Sequence, residues 1–443
     1  MIVSEVKRKV GLYTLGCKVS LYETEAIAER FEDEGFEVAS FDEVCDVYVI
    51  NTCTVTAESD AKSRKYIRRA IRKNPDAVVV VCGCYSQRSP DDVLNIKGVS
   101  AVVGTQDKLR ITEIAKNCLQ NKQTTPINTV SSLDGAGFEP MRIRTPNRTR
   151  AYVKIEDGCE CKCSYCAISG ARGPVRSKPF DEVISEVEGL AALGTKEVVL
   201  TGIETGSYGV DLEGKIGLPE LIEALDERKS ISRIRLGSMA PELLGEEFAR
   251  RVMPLAVMVP HIHISMQSGS DRVLRGMRRR YTAERAIANI ERIREYSPDC
   301  LFTADLMVGF PGETEEDFLE TVEFVKRVKL LDAHVFAYSK REGTPAADFD
   351  CQVPEEVKKE RSARLVSVKN KIRDSVLFDI VQSGKPLRCI LESFDGSEYT
   401  AHSDSYVEVR CAASPGLIGC EVEVVPQSHK NGIIYGKIAK SIQ

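Results

Sequence analysis

The stretch 151-AYVKIEDGCECKCSYC-166 decides the fold. AYVKIED reads as a β-strand, and the loop after it carries Cys159, Cys163 and Cys166 in a C-x3-C-x2-C spacing. From Ala151 to about residue 376, strand and helix patterns alternate. EVVLTGI, RIRLGS, HIHISM, FTADLMVGF and HVFAYS are the further strand candidates, each followed by a helical or loop stretch. Six such units predict an incomplete parallel barrel, since a closed eight-unit barrel takes about 250 residues. A cubane 4Fe-4S cluster takes one ligand per iron, and thiolates are the usual ones. Three closely spaced cysteines leave one iron open, as three-ligand catalytic zinc sites leave an open position. Cys161 lies inside the motif and makes it C-x-C-x-C-x2-C, but Cys159, Cys163 and Cys166 keep the three-plus-two spacing. A zinc knuckle or a set of buried thiols is the competing reading, and it leaves the surrounding barrel pattern unexplained.

An open iron can chelate the amino and carboxylate groups of S-adenosylmethionine. Upstream, residues 9 to about 120 also alternate strand and helix. VGLYTLG, Phe36–Phe41, Val47–Asn51, Ala77–Cys82 and Ala101–Val103 read as strands. Tyr22–Glu34, Ala61–Lys73 and Lys108–Leu119 read as helices. This predicts a doubly wound parallel sheet. Cys17, Cys53 and Cys84 directly follow the first, third and fourth strands. With the strand order 2-1-3-4-5, those strands are neighbours whose carboxyl ends face the ligand crevice, so three distant thiols converge. Each thiol alone could merely cap a strand. Cys82, beside Cys84, points to the opposite side by strand alternation.

Residues 121–148, rich in Thr, Asn, Pro and Gly, read as a linker. A charged helix, Glu355 to Asp379, leads into short alternating strands from Gly384 to Ile442, read as a small all-β barrel. The 443 residues imply two to four domains. An N-terminus with charges among its apolar residues, and no apolar run of bilayer length, predicts a cytoplasmic protein with no membrane span. There the 15 cysteines serve as metal ligands and buried thiols rather than disulfides. Net charge is −5, so any nucleic-acid site must be a local basic patch. Lys62–Lys73 holds seven basic residues and no acid, with Lys62, Lys65, Arg69 and Arg72 on one helical face. Arg142, Arg144, Arg148 and Arg150, then Arg272, Arg275, Arg278, Arg279 and Arg280, form two further clusters. Such clusters suit phosphate contacts, although a charge run can also be only a solvated face. His261 and His263 share one side of a strand, as a proton relay or as satisfied barrel histidines. The stretch Gly309–Thr314 reads as a structural turn and helix start.

LGCKVSLYETEA, VINTCTVT and CGCYSQ resemble the N-terminal domain of the radical-SAM methylthiotransferases. DGCECKCSYCAISGARG, LTGIETGSYG, IHISMQSGSDRVLRGMRRRYT, DLMVGFPGETEEDF and HVFAYSKREGTPAA resemble their radical-SAM core, and the last β module their TRAM domain. The resemblance spans nearly the whole chain. It implies an N-terminal domain at 8–121 with a second 4Fe-4S cluster on Cys17, Cys53 and Cys84. A radical-SAM core at 145–376 carries the cluster on Cys159, Cys163 and Cys166, and a TRAM-like RNA- or substrate-binding barrel occupies 378–442. Gly202 and Glu204 lie on a loop that approaches S-adenosylmethionine by resemblance. Ser238 and Gln267, at strand ends on the same face, are further candidates for contacts to it.

GCKVSLYETE and MRRRYT resemble the branch acting on N6-threonylcarbamoyladenosine at tRNA position 37. The implied reaction inserts a methylthio group at C2, with S-adenosylmethionine as both radical source and methyl donor. The implied partners are the anticodon stem-loop and an electron donor such as flavodoxin or ferredoxin. Isopentenyladenosine or a ribosomal-protein aspartate are alternative substrates within the family. A non-catalytic iron–sulfur or zinc RNA-binding protein is the alternative outside it. Ser20, Glu160-Cys161 and Ser169 depart from residues usual in the family but remove no ligand.

Overall fold

The computed structural model describes residues 7–121, 125–214 and 216–442. The first sheet holds β1 (Lys9–Thr14), β2 (Glu37–Ala39), β3 (Val47–Thr52), β4 (Val78–Gly83), β5 (Ala101–Val102) and β6 (Ile127–Asn128). It is parallel throughout, in the order β2-β1-β3-β4-β5-β6. Every residue of β3 and β4 is buried, because helices cover both faces and an unbroken apolar run can then be accommodated. The helix α1 (Lys18–Asp33) starts four residues before the expected Tyr22, directly behind Cys17. In α2 (Ala57–Lys73) the Thr56 hydroxyl accepts from the Ser59 N–H and caps the first turn.

From residue 125 on, the segment read as a linker is a packed strap. It supplies β6, and Met141 and Ile143 are buried in the core. Tyr22 Oη donates to the Met141 carbonyl at 2.5 Å, and the Glu29 carboxylate accepts from the Arg144 and Thr145 N–H groups. Composition alone cannot show this, since two-residue strands and backbone–carboxylate bonds leave no periodic signature.

The second unit contains β7 (Arg150–Lys154), β8 (Glu156–Asp157), β9 (Arg176–Ser177), β10 (Glu197–Thr201), β11 (Arg233–Leu236), β12 (Ser238–Met239), β13 (His261–Gln267), β14 (Leu301–Val308) and β15 (Asp332–Ala337). β8 and β9 form an antiparallel clasp at the two ends of the cysteine loop. The others run parallel as β7-β10-β11 and β12-β13-β14-β15, with β11 and β12 one strand interrupted at Gly237. Six strand positions build the partial barrel, as its strand count predicts. A closed barrel of this type fills its interior with branched apolar side chains. Here the inward positions carry Arg150, Tyr152, Arg235, His261, His263 and Asp305, and the interior is a cavity of about 780 Å³.

The helix Glu355–Ser383 ends at Gly384, in the left-handed region at φ 62°. It leads into β16 (Leu387–Phe394), β17 (Glu398–Ser403), β18 (Glu408–Ala412), β19 (Glu421–Lys430) and β20 (Ile433–Ile442). These close into a barrel in the order β16-β17-β18-β20-β19 around Cys389, Leu391, Tyr399, Val409, Val422 and Ile434. No helix among the described residues is long and apolar enough to cross a membrane.

Candidate active site

Cys17 is the residue from which α1 starts, Cys53 follows β3, and Cys84 opens α3 (Cys84–Arg88) behind β4. Because β1, β3 and β4 are adjacent, the three thiols meet at the carboxyl edge of the sheet. Gly83, at φ 99°, makes the approach possible: a Cβ there would lie 2.5 Å from Asn51 Oδ1 and 2.6 Å from the Thr52 carbonyl oxygen. Cys159, Cys161, Cys163 and Cys166 stand across from them, and all seven cysteines line a second cavity of about 470 Å³. The loop turns at Gly158 (φ 93°), where a Cβ would come within 1.8 Å of the Pro174 carbonyl oxygen. Cys163 Sγ accepts from Arg279 Nη1 at 3.3 Å, and Cys166 Sγ from the Ile168 N–H at 3.4 Å. Cys159 and Cys161 are neighbours, and their interaction lowers the pKa of the Cys161 thiol below its usual range while raising that of Cys159. All the cysteines are free thiols.

Arg172, fully buried, joins the two loops. Its Nε donates to Cys84 Sγ at 3.1 Å, and its Nη1 reaches Glu23 Oε1 at 2.5 Å and Asp157 Oδ2 at 3.1 Å. Glu23 also pairs with Lys108 and Lys154, each at 3.0 Å, while Asp157 pairs with Lys154 at 2.6 Å and Arg176 at 3.6 Å. Against the cost of burial, these cations hold the carboxyls of Glu23 and Asp157 below their usual range. Four cations thus face two carboxylates, and the surplus positive charge lies beside a thiol. Burial pushes the Cys84 thiol up to about 11 while Arg172 pulls it down. A negative ligand at Cys84 would settle that imbalance. Arg172 lies within a quoted motif, yet its role was not legible there, because its partners are 15 to 149 positions away.

Gly202, Glu204, Ser238 and Gln267 line the same cavity as the thiols. Gly202 is required by a close approach: a Cβ would sit 2.2 Å from Glu156 Oε2. Glu204 Oε1 accepts from the Ala240 N–H at 3.0 Å, and burial pushes its carboxyl up to about 8. Gln267 sits at φ 67° with a buried Oε1 that has no partner. A strained backbone and an orphaned acceptor facing a cavity mark a place where a ligand completes the structure. Deeper in the barrel, Asp305 lies between His263 Nε2 (3.3 Å) and His334 Nδ1 (3.1 Å), and these contacts hold its carboxyl low despite burial. The ligand atoms of these three residues lie within 4.8 Å of one another, close enough for a metal ion. Glu313 bonds the Gly309 N–H and Arg361, so the 309–314 stretch is a structural turn.

Residues 153–325 match the model of the radical SAM superfamily, and residues 9–104 that of the uncharacterized protein family UPF0004. The chain is 41% identical over 425 residues to the threonylcarbamoyladenosine tRNA methylthiotransferase MtaB of Bacillus subtilis, covering 94% of this chain and 93% of that protein. The chain belongs to the radical-SAM methylthiotransferase family. The MtaB protein of Aquifex aeolicus is 36% identical, over 91% of this chain and 96% of its own length. A tRNA-2-methylthio-N(6)-dimethylallyladenosine synthase of Methylacidiphilum infernorum is 34% identical, over 82% and 80%. Among solved structures, the radical S-adenosylmethionine methyltransferase TsrM of Kitasatospora setae has the same fold over 77% of each chain, with a TM-score of 0.57 at 20% identity.

As a radical-SAM methylthiotransferase the chain uses 4Fe-4S clusters and S-adenosylmethionine. The residues present fit those groups. Soft sulfur donors crowd one cavity, a buried cation surplus stands beside Cys84, and Gln267 Oε1 is left without a donor. Two arginines assigned from sequence to basic clusters turn inward: Arg279 to Cys163 and Ser265, and Arg150 into the barrel toward Glu392 and Glu197, whereas Arg272 stays exposed while pairing with Asp317 and the Gly312 carbonyl. Of the α2 face, Lys62, Lys65 and Arg72 are exposed, whereas Arg69 pairs with Asp42.

Proposed function

We propose that this radical-SAM methylthiotransferase inserts a methylthio group at C2 of N6-threonylcarbamoyladenosine at position 37 of tRNA. Cys17, Cys53 and Cys84 hold one 4Fe-4S cluster and Cys159, Cys163 and Cys166 the other, each with an open iron. The observation that carries the reading is that both cysteine sets line one cavity. Replacing a C–H by sulfur requires the radical source and the sulfur store within reach of one carbon. The nucleoside follows the names of the MtaB relatives at 41% and 36% identity. When bound, the clusters and S-adenosylmethionine supply one-electron bond cleavage, sulfur and a methyl group.

The chain's own residues hold and tune the site. Arg172 offsets thiolate charge and locks unit 8–121 to the core at 145–376. Protonated Glu204 is an uncharged neighbour of the thiols, and the Gln267 amide and Ser238 hydroxyl orient S-adenosylmethionine. Lys62, Lys65 and Arg72 on α2 suit phosphates of the anticodon stem-loop. The β module at 378–442 closes the far end of the larger barrel cavity through Tyr406. A flavodoxin or ferredoxin is the electron donor in this reading.

Anaerobic reconstitution tests it, with about eight irons per chain expected at four per cubane. Nucleosides from tRNA of a deletion strain should lose the methylthio form of threonylcarbamoyladenosine alone. Loss of the methylthio isopentenyl nucleoside instead would overturn the substrate. One bound zinc without cleavage of S-adenosylmethionine would overturn the enzyme.

A further inference from the structure

The lower half of the barrel is hollow and polar where such barrels are ordinarily packed. Below the thiols, the larger cavity is walled by Lys18, Arg150, Arg235 and His261 and floored by Tyr406 from the turn between β17 and β18. Arg373 Nε, Arg235 Nη1 and His261 Nδ1 are buried here without partners, and the last two lie close to one ring. Arg235 is 2% exposed and binds Glu197 through Nε (2.8 Å) and Nη2 (3.2 Å), which leaves Nη1 unpaired. His261 is also 2% exposed, and its Nδ1 is unpaired.

Both groups lean on one ring. The Arg235 guanidinium lies 4.9 Å from the Tyr406 ring centre, and the His261 ring stacks on its plane at 4.7 Å and 26°. Tyr406 reaches that position with φ at 69°, a left-handed conformation that a bulky residue adopts only under constraint.

Hydrogen-bond sense assigns the free atoms. With a neutral His263 ring whose Nε2–H the Asp305 carboxylate accepts, His263 Nδ1 accepts the Thr303 hydroxyl proton at 2.8 Å. The Thr303 oxygen then accepts from His261 Nε2–H at 3.0 Å, which leaves Nδ1 as the buried acceptor of a ring that lines the cavity. The pocket therefore offers a guanidinium N–H donor beside an imidazole acceptor. That pair complements a carboxylate with a hydroxyl on the next carbon but one, as in the Cα carboxylate and Cβ hydroxyl of a threonyl group.

We propose that this lower cavity is the specificity pocket for the threonyl end of the modified base, with Arg235 Nη1 taking its carboxylate and His261 Nδ1 its hydroxyl. The inference rests on the function proposed above and deepens it. A hydrocarbon appendage would leave both groups unpaired, and sites built to bond a substrate's polar group reject an analogue lacking it by about 10⁴-fold or more.

The test uses the reconstituted holoenzyme and three anticodon stem-loop RNAs. They carry threonylcarbamoyladenosine, its neutral carboxamide, or isopentenyladenosine at position 37. KM and the RNA Kd for the carboxamide should each rise roughly 10- to 100-fold over the acid, the worth of one charge-assisted bond. Arg235→Gln should raise both values for the acid by a similar factor and treat acid and amide alike. Equal use of acid and amide by the unmodified enzyme overturns the pocket and leaves the function reading intact. Conversion of isopentenyladenosine with none of threonylcarbamoyladenosine overturns the function reading itself. The acid–amide comparison needs no variant, so it decides the matter even where Arg235→Gln fails to fold.

Discussion

The buried charge network around Arg172 should behave as one coupled unit. In Arg172→Met, Glu23 keeps Lys108 and Lys154, and Asp157 keeps Lys154 and Arg176. Removing one member of a buried ion pair costs about 3–5 kcal/mol. Both carboxylates retain other cations here, so the lower end applies, about 3 kcal/mol. Glu23→Gln strips three cations of a shared partner, with Lys108 left bonded to the Thr105 carbonyl, and should cost about 4 kcal/mol. The double variant removes one charge of each sign, so the loss should fall short of the sum by about 2 kcal/mol. Urea unfolding of the cluster-free chain under reductant, followed by far-ultraviolet circular dichroism at pH 7, measures all four corners. Additivity within about 0.5 kcal/mol, the level expected of independent sites, would refute the idea that Arg172 and Glu23 act as one unit.

Other perturbations have equally definite outcomes. Glu204 keeps its proton up to about pH 8 in the folded chain, against an ordinary value near 4.5. Its contribution to stability is therefore complete below about pH 4.5 and is lost as pH rises through 8. The slope is at most about 1.4 kcal/mol per pH unit, and Glu204→Gln should flatten that part of the cluster-free chain's stability profile; an unchanged profile would refute the assignment. Gly158→Ala drives a Cβ into the Pro174 carbonyl at a positive φ, so iron after reconstitution should fall from about eight to about four per chain, with S-adenosylmethionine cleavage lost. Cys84→Ala should also lose about four irons yet keep cleavage of S-adenosylmethionine, and retention of all the iron would contradict the ligand assignment.

Much of the design is local and so was legible in the chain itself. The spacing of Cys159, Cys163 and Cys166 lies within eight residues, and strand–helix alternation places Cys17, Cys53 and Cys84 after the first, third and fourth strands, which the order 2-1-3-4-5 taken for the sheet makes neighbours. The all-β character of residues 387–442 was equally clear from its short alternating runs. Tertiary structure alone decided the rest. Arg150 and Arg279 looked like surface charge because a run of arginines has the same sequence signature whether it faces water, a carboxylate or a thiol. Arg172 meets Glu23 across 149 positions, and Arg235 and His261 meet Tyr406 across more than 140. Periodicity reports which face of an element is buried, but not what it is buried against. Partners brought together from three units distant in sequence, and the buried atoms they leave unpaired, exist only once those units pack.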